Sequence, residues 1–180
     1  MIKLARNCIE RIYGEKDYDY FRNQSKKIPL YYDSLLKLAT SECKKFYIMT
    51  DIYDPSIEIL FKLGSYDNHT FHIEYESKLK ISKIADLFVF QHEFCIEDID
   101  PNRIVSDLDG FGGQPYTLSQ SNLEKKFTTF LKNYNLTKVN LSDMDECVDS
   151  FELPEKTIFG NYMTLDNALF RDLLGICENN

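Results

Sequence analysis

The chain has 180 residues and a mass of 21.2 kDa, a size that suits one domain with its own hydrophobic core. Its 43% hydrophobic and 28% charged residues are typical of a globular protein, and no apolar run is long enough to span a membrane. The net charge of −8 is uneven, because residues 1–49 carry 10 Lys and Arg against 6 Asp and Glu, whereas the remainder carries 11 against 23. Such an acidic surface repels phosphate backbones and anionic lipid, so we expect neither nucleic acid nor a membrane as partner.

The first 49 residues predict two helices. An apolar stripe with helical spacing marks the first helix: Ile2, Ala5, Ile9 and Ile12. Gly14 follows as a stop signal, and the charged residues in this segment exclude a secretory signal, so we expect a cytoplasmic protein. Pro29 is typical of a first helical position and predicts the second helix over 29–45.

The middle of the chain predicts strands. Aromatic and β-branched residues over 46–53 indicate a first strand, and apolar residues at every second position from 57 to 63 indicate another with one buried face. Turn residues at 64–70 and renewed alternation at 71–77 complete a hairpin over 56–77. Residues 86–96 predict a deeper strand, with a short buried helix over 83–90 as the alternative.

Helical patterns return in the last third. Ser121 can cap a helix over 122–134 with Asn135 at its exit, and Thr164 can open a helix that Gly175 ends. We therefore expect a single α+β domain over 1–180. A central antiparallel, hairpin-rich sheet at about 45–95 carries the N- and C-terminal helices, all on one face.

The cysteines and histidines predict no metal or cofactor site. The five cysteines are dispersed, odd in number and never spaced as C-x-x-C, which favours buried or half-buried reduced thiols over disulfides or zinc. His69 and His72 straddle a turn and a strand, and His92-Glu93 lacks the second histidine of H-E-x-x-H. In the predicted hairpin His72 and Glu74 share the polar face of one strand, where we expect a solvated surface and not a metal site.

The stretch IVSDLDGFGG, residues 104–113, is the one candidate for catalysis. Asp107 and Asp109 resemble the aspartate pair of haloacid-dehalogenase-type phosphatases, which implies a magnesium-dependent phosphohydrolase as an alternative function. That pair belongs at the carboxyl end of a parallel strand, beside a helix N-terminus that holds phosphate. Only 73 residues follow Asp107, and Phe111 replaces the usual Thr or Val, so we favour an acidic turn at Asp109-Gly110, with Gly112-Gly113 free to adopt positive φ.

Acidic residues concentrate in two segments, which we name the first and second acidic patches. The first patch comprises Glu97, Asp98, Asp100, Asp107 and Asp109. The second comprises Asp143, Asp145, Glu146 and Asp149. Because negative surface charge speeds encounter with basic partners, we predict that these residues contact a protein partner.

A small acidic α+β chain rich in Asn, Lys, Tyr and Phe, with stretches such as KIADLFVFQHEFCIEDIDP and IVSDLDGFGGQPY, resembles bacterial toxin-immunity proteins of contact-dependent inhibition and related polymorphic toxin systems. The resemblance implies a tight one-to-one complex with a secreted toxin domain, often a basic nuclease, whose active site the acidic surface blocks. We therefore expect a neutralising binding protein and not an enzyme. A non-catalytic adaptor subunit is the other alternative.

Overall fold

The computed structural model describes residues 3–100, 108–157, 160–173 and 175–177. Its helices are α1 (Lys3–Ile9), α2 (Tyr18–Ser25), α3 (Tyr32–Glu42), α4 (Leu118–Lys132) and α5 (Leu165–Leu169). Its strands are β1 (Phe46–Ile48), β2 (Ser56–Asp67), β3 (Phe71–Ser82), β4 (Leu87–Asp98), β5 (Leu108–Gly112), β6 (Thr137–Lys138), β7 (Cys147–Thr157) and β8 (Gly160–Thr164). A π-helical turn (Glu10–Gly14) extends α1, and a 3₁₀ helix (Leu141–Asp145) follows β6.

The main sheet has the order β1-β2-β3-β4-β5 with every neighbouring pair antiparallel, and β6 runs parallel to the start of β4. Strands β7 and β8 form a separate antiparallel pair. The predicted α+β class and the predicted hairpin are confirmed, and the hairpin strands β2 and β3 are longer than predicted at 12 residues each. The segment predicted over 86–96 forms strand β4 and not a helix, and the strand runs from Leu87 to Asp98.

One face of the sheet packs on helices α3 and α4, and we call it the helical face. Apolar side chains at alternate positions of β2, β3 and β4 are buried there: Ile57, Ile59, Phe61, Leu79, Ile81, Phe88 and Phe90. They pack against Leu35 and Ala39 of α3 and against Leu123, Phe127 and Leu131 of α4. This alternation is the pattern that a strand with one buried face requires.

A second core lies on the opposite face, at the start of β4. Leu87 and Val89 pack there with residues of α1, α5 and the 3₁₀ helix, including Ala5, Ile9 and Met144. Helices therefore pack on both faces, and the expectation of a single covered face is wrong. The reason lies in the uninterrupted apolar run at the start of β4, because consecutive strand residues point to opposite faces and every one of them is buried.

Two helices begin at capping residues other than those expected from the sequence. Thr117 caps α4 with Gln120 in a reciprocal capping box, so the helix begins at Leu118 and Ser121 is not its cap. Asp17 caps α2, a helix the sequence analysis did not predict. Asn135 adopts φ 64° beyond the end of α4, as its predicted exit role requires.

Three predicted elements are shorter in the structure. Helix α3 begins at Tyr32, because Pro29 forms the preceding turn by accepting a backbone hydrogen bond from Tyr32. The strand predicted over 46–53 ends at Ile48. Thr164 caps α5 as predicted, but the helix has only five residues.

The two acidic segments contain strands. Asp109 and Gly110 lie inside β5 and not in a turn, and among the described glycines positive φ occurs at Gly64 and Gly175. Gly110 fits strand β5 because its register partner Phe94 lies directly over it, where a Cβ would be 2.3 Å from the Phe94 ring. A glycine beneath an aromatic ring is a recurrent cross-strand arrangement in sheets.

The cysteine expectation is corrected at two positions. Cys43 is buried and Cys8 and Cys177 are half-buried, whereas Cys95 and Cys147 are exposed. Within the described ranges, none of the helices combines the length and the apolar character needed to cross a bilayer.

Replacing Gly110 by alanine should destabilise the protein by about 1–3 kcal/mol, because the new Cβ overlaps the Phe94 ring and the ring must move. Urea unfolding followed by circular dichroism measures this free energy. Gly112→Ala is the matched control, since its Cβ would meet the hydroxyl of Tyr116 at 3.2 Å and the backbone N of Gln114 at an ordinary contact distance of 3.9 Å. It should change the stability by less than about 1 kcal/mol. Equal effects of the two substitutions would contradict the tight Phe94–Gly110 packing.

Candidate functional site

The outer half of the sheet gathers acidic side chains from three adjacent strands on the face opposite the helical face. In the strand register Glu76 lies opposite Glu93, and Cys95 lies between Glu74 and Asp109. Directly opposite residues share a face, as do residues two apart in a strand. Strands β3, β4 and β5 therefore place five carboxylates on one face, which we call the acidic face: Glu74, Glu76, Glu93, Glu97 and Asp109.

Lysines offset this charge only in part. Lys62 of β2 forms ion pairs with Glu76 and, at 3.4 Å, with Glu74. Lys78 of β3 lies 3.5 Å from Glu93. Because the carboxylates outnumber these two lysines, the acidic face presents an excess of negative charge.

His72 lies among carboxylates at the end of the sheet. Its Nδ1 is 2.5 Å from Asp67 and its Nε2 is 3.5 Å from Glu74, and its register partner on β4 is Glu97. Hydrogen bonds to Asp67 first and Glu74 second raise the pKa of His72 above its ordinary value. The charge of this end of the sheet therefore depends on pH.

The structure divides the first acidic patch between the two faces. Glu97 and Asp109 are exposed on the acidic face. Asp98 is half-buried on the helical face, opposite Phe71, and accepts a 2.8 Å hydrogen bond from the backbone N–H of Asp100. Asp107 lies outside the described residues.

The second acidic patch follows β6. The Asp143 carboxylate accepts hydrogen bonds from the backbone and side-chain N–H groups of Asn140, at 2.9 and 3.1 Å, so it serves to cap the 3₁₀ helix. Asp145 and Glu146 are exposed. Asp149 belongs to β7, and its side chain lies outside the described part.

Strand β5 connects the two acidic patches. Asp109 stands near its start, while Gly113, just past its end, packs against Leu141 of the 3₁₀ helix. Four residues of extended chain span about 13 Å, so the two patches lie at opposite ends of one strand. At the end of β5 next to Gly113, Phe111 and Asp145 line a surface cavity of about 430 Å³.

On the helical face, the outer half of the sheet is apolar. One row of directly opposite residues crosses all four strands from β2 to β5, and we call it the apolar row: Tyr66, Ile73, Ile96 and Leu108. Tyr66 and Leu108 are 58% and 59% exposed, so the helices do not cover the ends of this row. The outer half is therefore apolar on one side and acidic on the other.

A buried polar network lies between the sheet and α4. Ser77 Oγ is 2.8 Å from Nδ1 of His92, whose Nε2 is 3.3 Å from Glu124, and Lys138 pairs with Glu124. The order serine, histidine, carboxylate resembles a hydrolase triad, but Ser77 and His92 are fully buried, so a substrate cannot reach the hydroxyl. His92 therefore occupies a buried structural position, and the network serves to fasten α4 to the sheet.

The geometry around Asp109 differs from what the phosphohydrolase alternative requires. Asp109 is exposed in a strand that pairs antiparallel with β4, and not at the carboxyl end of a parallel strand beside a helix N-terminus. In the ranges that the structure describes, no three His, Cys, Asp or Glu side chains cluster closely enough to hold a metal ion.

Sequence reasoning did not select Glu74, Glu76 or Glu93 as site residues. For Glu74 and Glu76, the alternation in the predicted hairpin already indicated a position on its polar side. Only the register with β4 and β5 brings that side together with Glu97 and Asp109.

No protein-family model, curated protein or solved structure matches this chain.

Ser77→Ala should lower the free energy of unfolding by about 1–3 kcal/mol, because it leaves the buried Nδ1 of His92 without its hydrogen-bond partner. Chemical denaturation measures the loss. Thr129→Ala is the control, since it removes a hydroxyl that bonds only the exposed helical carbonyl of Lys125 and should have little effect. A neutral Ser77→Ala would show that this network does not stabilise the fold.

His72 should titrate above its ordinary pKa in an NMR pH series, and Asp67→Asn should lower that pKa because it removes the closest negative partner. Since the folded pKa is raised, the stabilisation from these pairs is fully present below the ordinary pKa and is lost as the pH rises through the folded one. Asp19→Asn, on α2, should leave the His72 titration unchanged. An identical His72 titration in Asp67→Asn would exclude the ion pair.

Proposed function

We propose that this chain binds a basic protein partner through the acidic face and neutralises it, in the manner of a cytoplasmic toxin-immunity protein. The observation that carries the proposal is the convergence of five carboxylates from β3, β4 and β5 on one accessible face. The partner that this face suits is a domain whose own working surface is basic, such as a nuclease that binds phosphate.

The spacing of the acidic face supports this chemistry. The Cβ atoms of directly opposite residues lie about 5 Å apart, as in the pair Glu76 and Glu93, and the other three carboxylates occupy nearby positions of the same face. Arginine and lysine donate strong, charge-assisted hydrogen bonds to carboxylates as they do to phosphates. A surface of this kind can occupy a phosphate-binding site and speed the encounter by electrostatic steering.

The sheet also limits the entropy lost on binding. Side chains on paired strands are already held in place, whereas those on a flexible loop would have to be ordered at the interface. Glu97 belongs to β4 and Asp109 to β5, which pairs with β4, so the backbone at both residues is already ordered.

Exposed apolar side chains can supply the binding energy that charged groups alone do not provide. Charged rim groups mainly set the association rate, while buried aromatic and aliphatic anchors supply most of the binding energy. Phe111 is 71% exposed on the acidic side of β5, and Tyr66 and Leu108 are exposed on the other side. The outer half of the sheet thus offers both kinds of contact within one area.

If the proposal holds, the partner is the toxin encoded by the adjacent gene, because an immunity gene should lie directly after the gene of its toxin. The double substitution Glu97→Lys with Asp109→Lys should reduce the association rate with that adjacent-gene product at least about tenfold at low salt, because it reverses the steering field. The remaining rate should depend less on ionic strength. Stopped-flow mixing of the two purified proteins over a salt series measures both effects. The matched control is Glu10→Lys with Glu15→Lys, which makes the same charge change at the first residue of the π-helical turn and at the residue just after it, at the other end of the sheet.

An unchanged rate and salt slope in the double variant, or equal slowing in the control, would contradict docking through the acidic face. The partner's own activity distinguishes neutralisation from an adaptor role. Full activity of the partner within a stable complex would overturn neutralisation and favour the adaptor.

A further inference from the structure

Within the described ranges, the outer edge of β5 is a sheet edge that no other strand pairs with. In the part of the chain that the structure describes, β5 pairs only with β4, so its other side presents backbone N–H and C=O groups. Natural proteins protect such edges with lysine, proline, bulges or a covering element. The β5 sequence LDGFG contains neither lysine nor proline, and its register with β4 runs without a shift from Leu108 to Gly112.

The opposite edge of the sheet differs. Strand β1 has three residues, which leaves little backbone to pair, and Lys44 and Lys45 precede it directly. Short length and adjacent lysines are the protections that β5 lacks. Of the two edges, β5 is therefore the one suited to accept another strand.

Strand β5 is held in an extended form despite its glycines. Phe94 covers Gly110, and Tyr116 packs against Phe94 with ring centroids 4.8 Å apart. The glycines also leave the strand without bulky side chains at two of its five positions. The edge is thus ordered in advance, which lowers the entropy lost when a partner strand pairs with it.

The two sides of this edge define the chemistry of the strand it would accept. On the acidic side, a residue beside Asp109 is attracted if it is lysine or arginine, and the exposed Phe111 can contact its charge through a cation–π interaction. On the helical side, a residue beside Leu108 would extend the apolar row. A second copy of this chain is disfavoured, because each copy carries a net charge of −8.

We infer that the outer edge of β5 binds an extended segment of the partner protein, in which basic and apolar residues alternate, as an added strand of the sheet. The inference rests on the proposed function and specifies how the partner docks. Main-chain hydrogen bonds to β5 supply affinity, and the alternating side chains supply selectivity.

A synthetic peptide of alternating lysine and valine is the probe. Titrated into the isotopically labelled protein, it should shift the amide resonances of 108–112 and slow the hydrogen exchange of the outward-facing amides of β5 at least about fivefold, because added pairing protects them. Asp109→Lys should weaken binding about tenfold, and Glu10→Lys with Glu15→Lys should not. A peptide of the same composition with its lysines grouped at one end, and one with glutamate in place of lysine, should bind at least about tenfold more weakly than the alternating lysine peptide.

Two outcomes overturn the inference. One is unchanged hydrogen exchange in β5 at saturating peptide, and the other is equal affinity for the grouped-lysine peptide, which would indicate adsorption by charge alone. These failures leave the proposed function intact if the adjacent-gene product still binds with a rate that depends on Glu97 and Asp109. Protection of β5 by the peptide, together with partner binding that ignores those two residues, would support the edge and overturn the acidic face as docking site.

Discussion

The register between β3 and β4 is the constraint on which the rest of the molecule depends. It runs without a shift from Phe71 opposite Asp98 to Ile81 opposite Phe88. A slip by one residue would turn every side chain of a strand to the other face, which would bury the glutamates of β3 against α4 and expose its apolar residues. The core, the acidic face and the apolar row therefore all require this one register.

Helix α4 holds this register through polar contacts that are specific to position. Gln120 donates from one side-chain amide to the carbonyls of Glu76 and Glu93, at 2.7 and 3.1 Å, and these two residues are directly opposite. The next opposite pair, Ser77 and His92, forms the buried hydrogen bond that continues to α4. Apolar packing tolerates small shifts, but a buried donor or acceptor that loses its partner is penalised in full, so these contacts select one register. The network that resembles a catalytic triad is thereby explained as a structural device.

Sequence patterns predicted the parts of the fold that depend on local periodicity. Alternation was sufficient to predict β2 and β3, and an apolar stripe with helical spacing was sufficient to predict α1. The three stripe residues that the structure describes, Ala5, Ile9 and Ile12, are buried. Strand β5 could not be predicted in this way, because Gly110 and Gly112 are turn signals by composition and become strand only under Phe94, which is remote in sequence. The acidic face escaped prediction for the same reason: charge density along the chain indicated Glu97 and Asp109, but Glu74, Glu76 and Glu93 join them only through cross-strand pairing.

The acidic face is arranged against stability, and this is the strongest physical reason to regard it as functional. Like charges placed directly opposite on neighbouring strands destabilise a sheet, and Glu76 faces Glu93 in this way. Lys62 and Lys78 relieve the repulsion from flanking positions, but no cation lies between the two carboxylates in the register. The outermost strand of this sheet, β5, exposes Phe111 and Leu108 to water and lacks the lysines that would protect its edge. A sheet selected for stability alone would pair opposite charges and cover or charge its edge. Both departures occur at the outer half of one sheet. A basic partner docked on the acidic face would relieve the first, and an added strand beside β5 would cover the edge and so relieve the second.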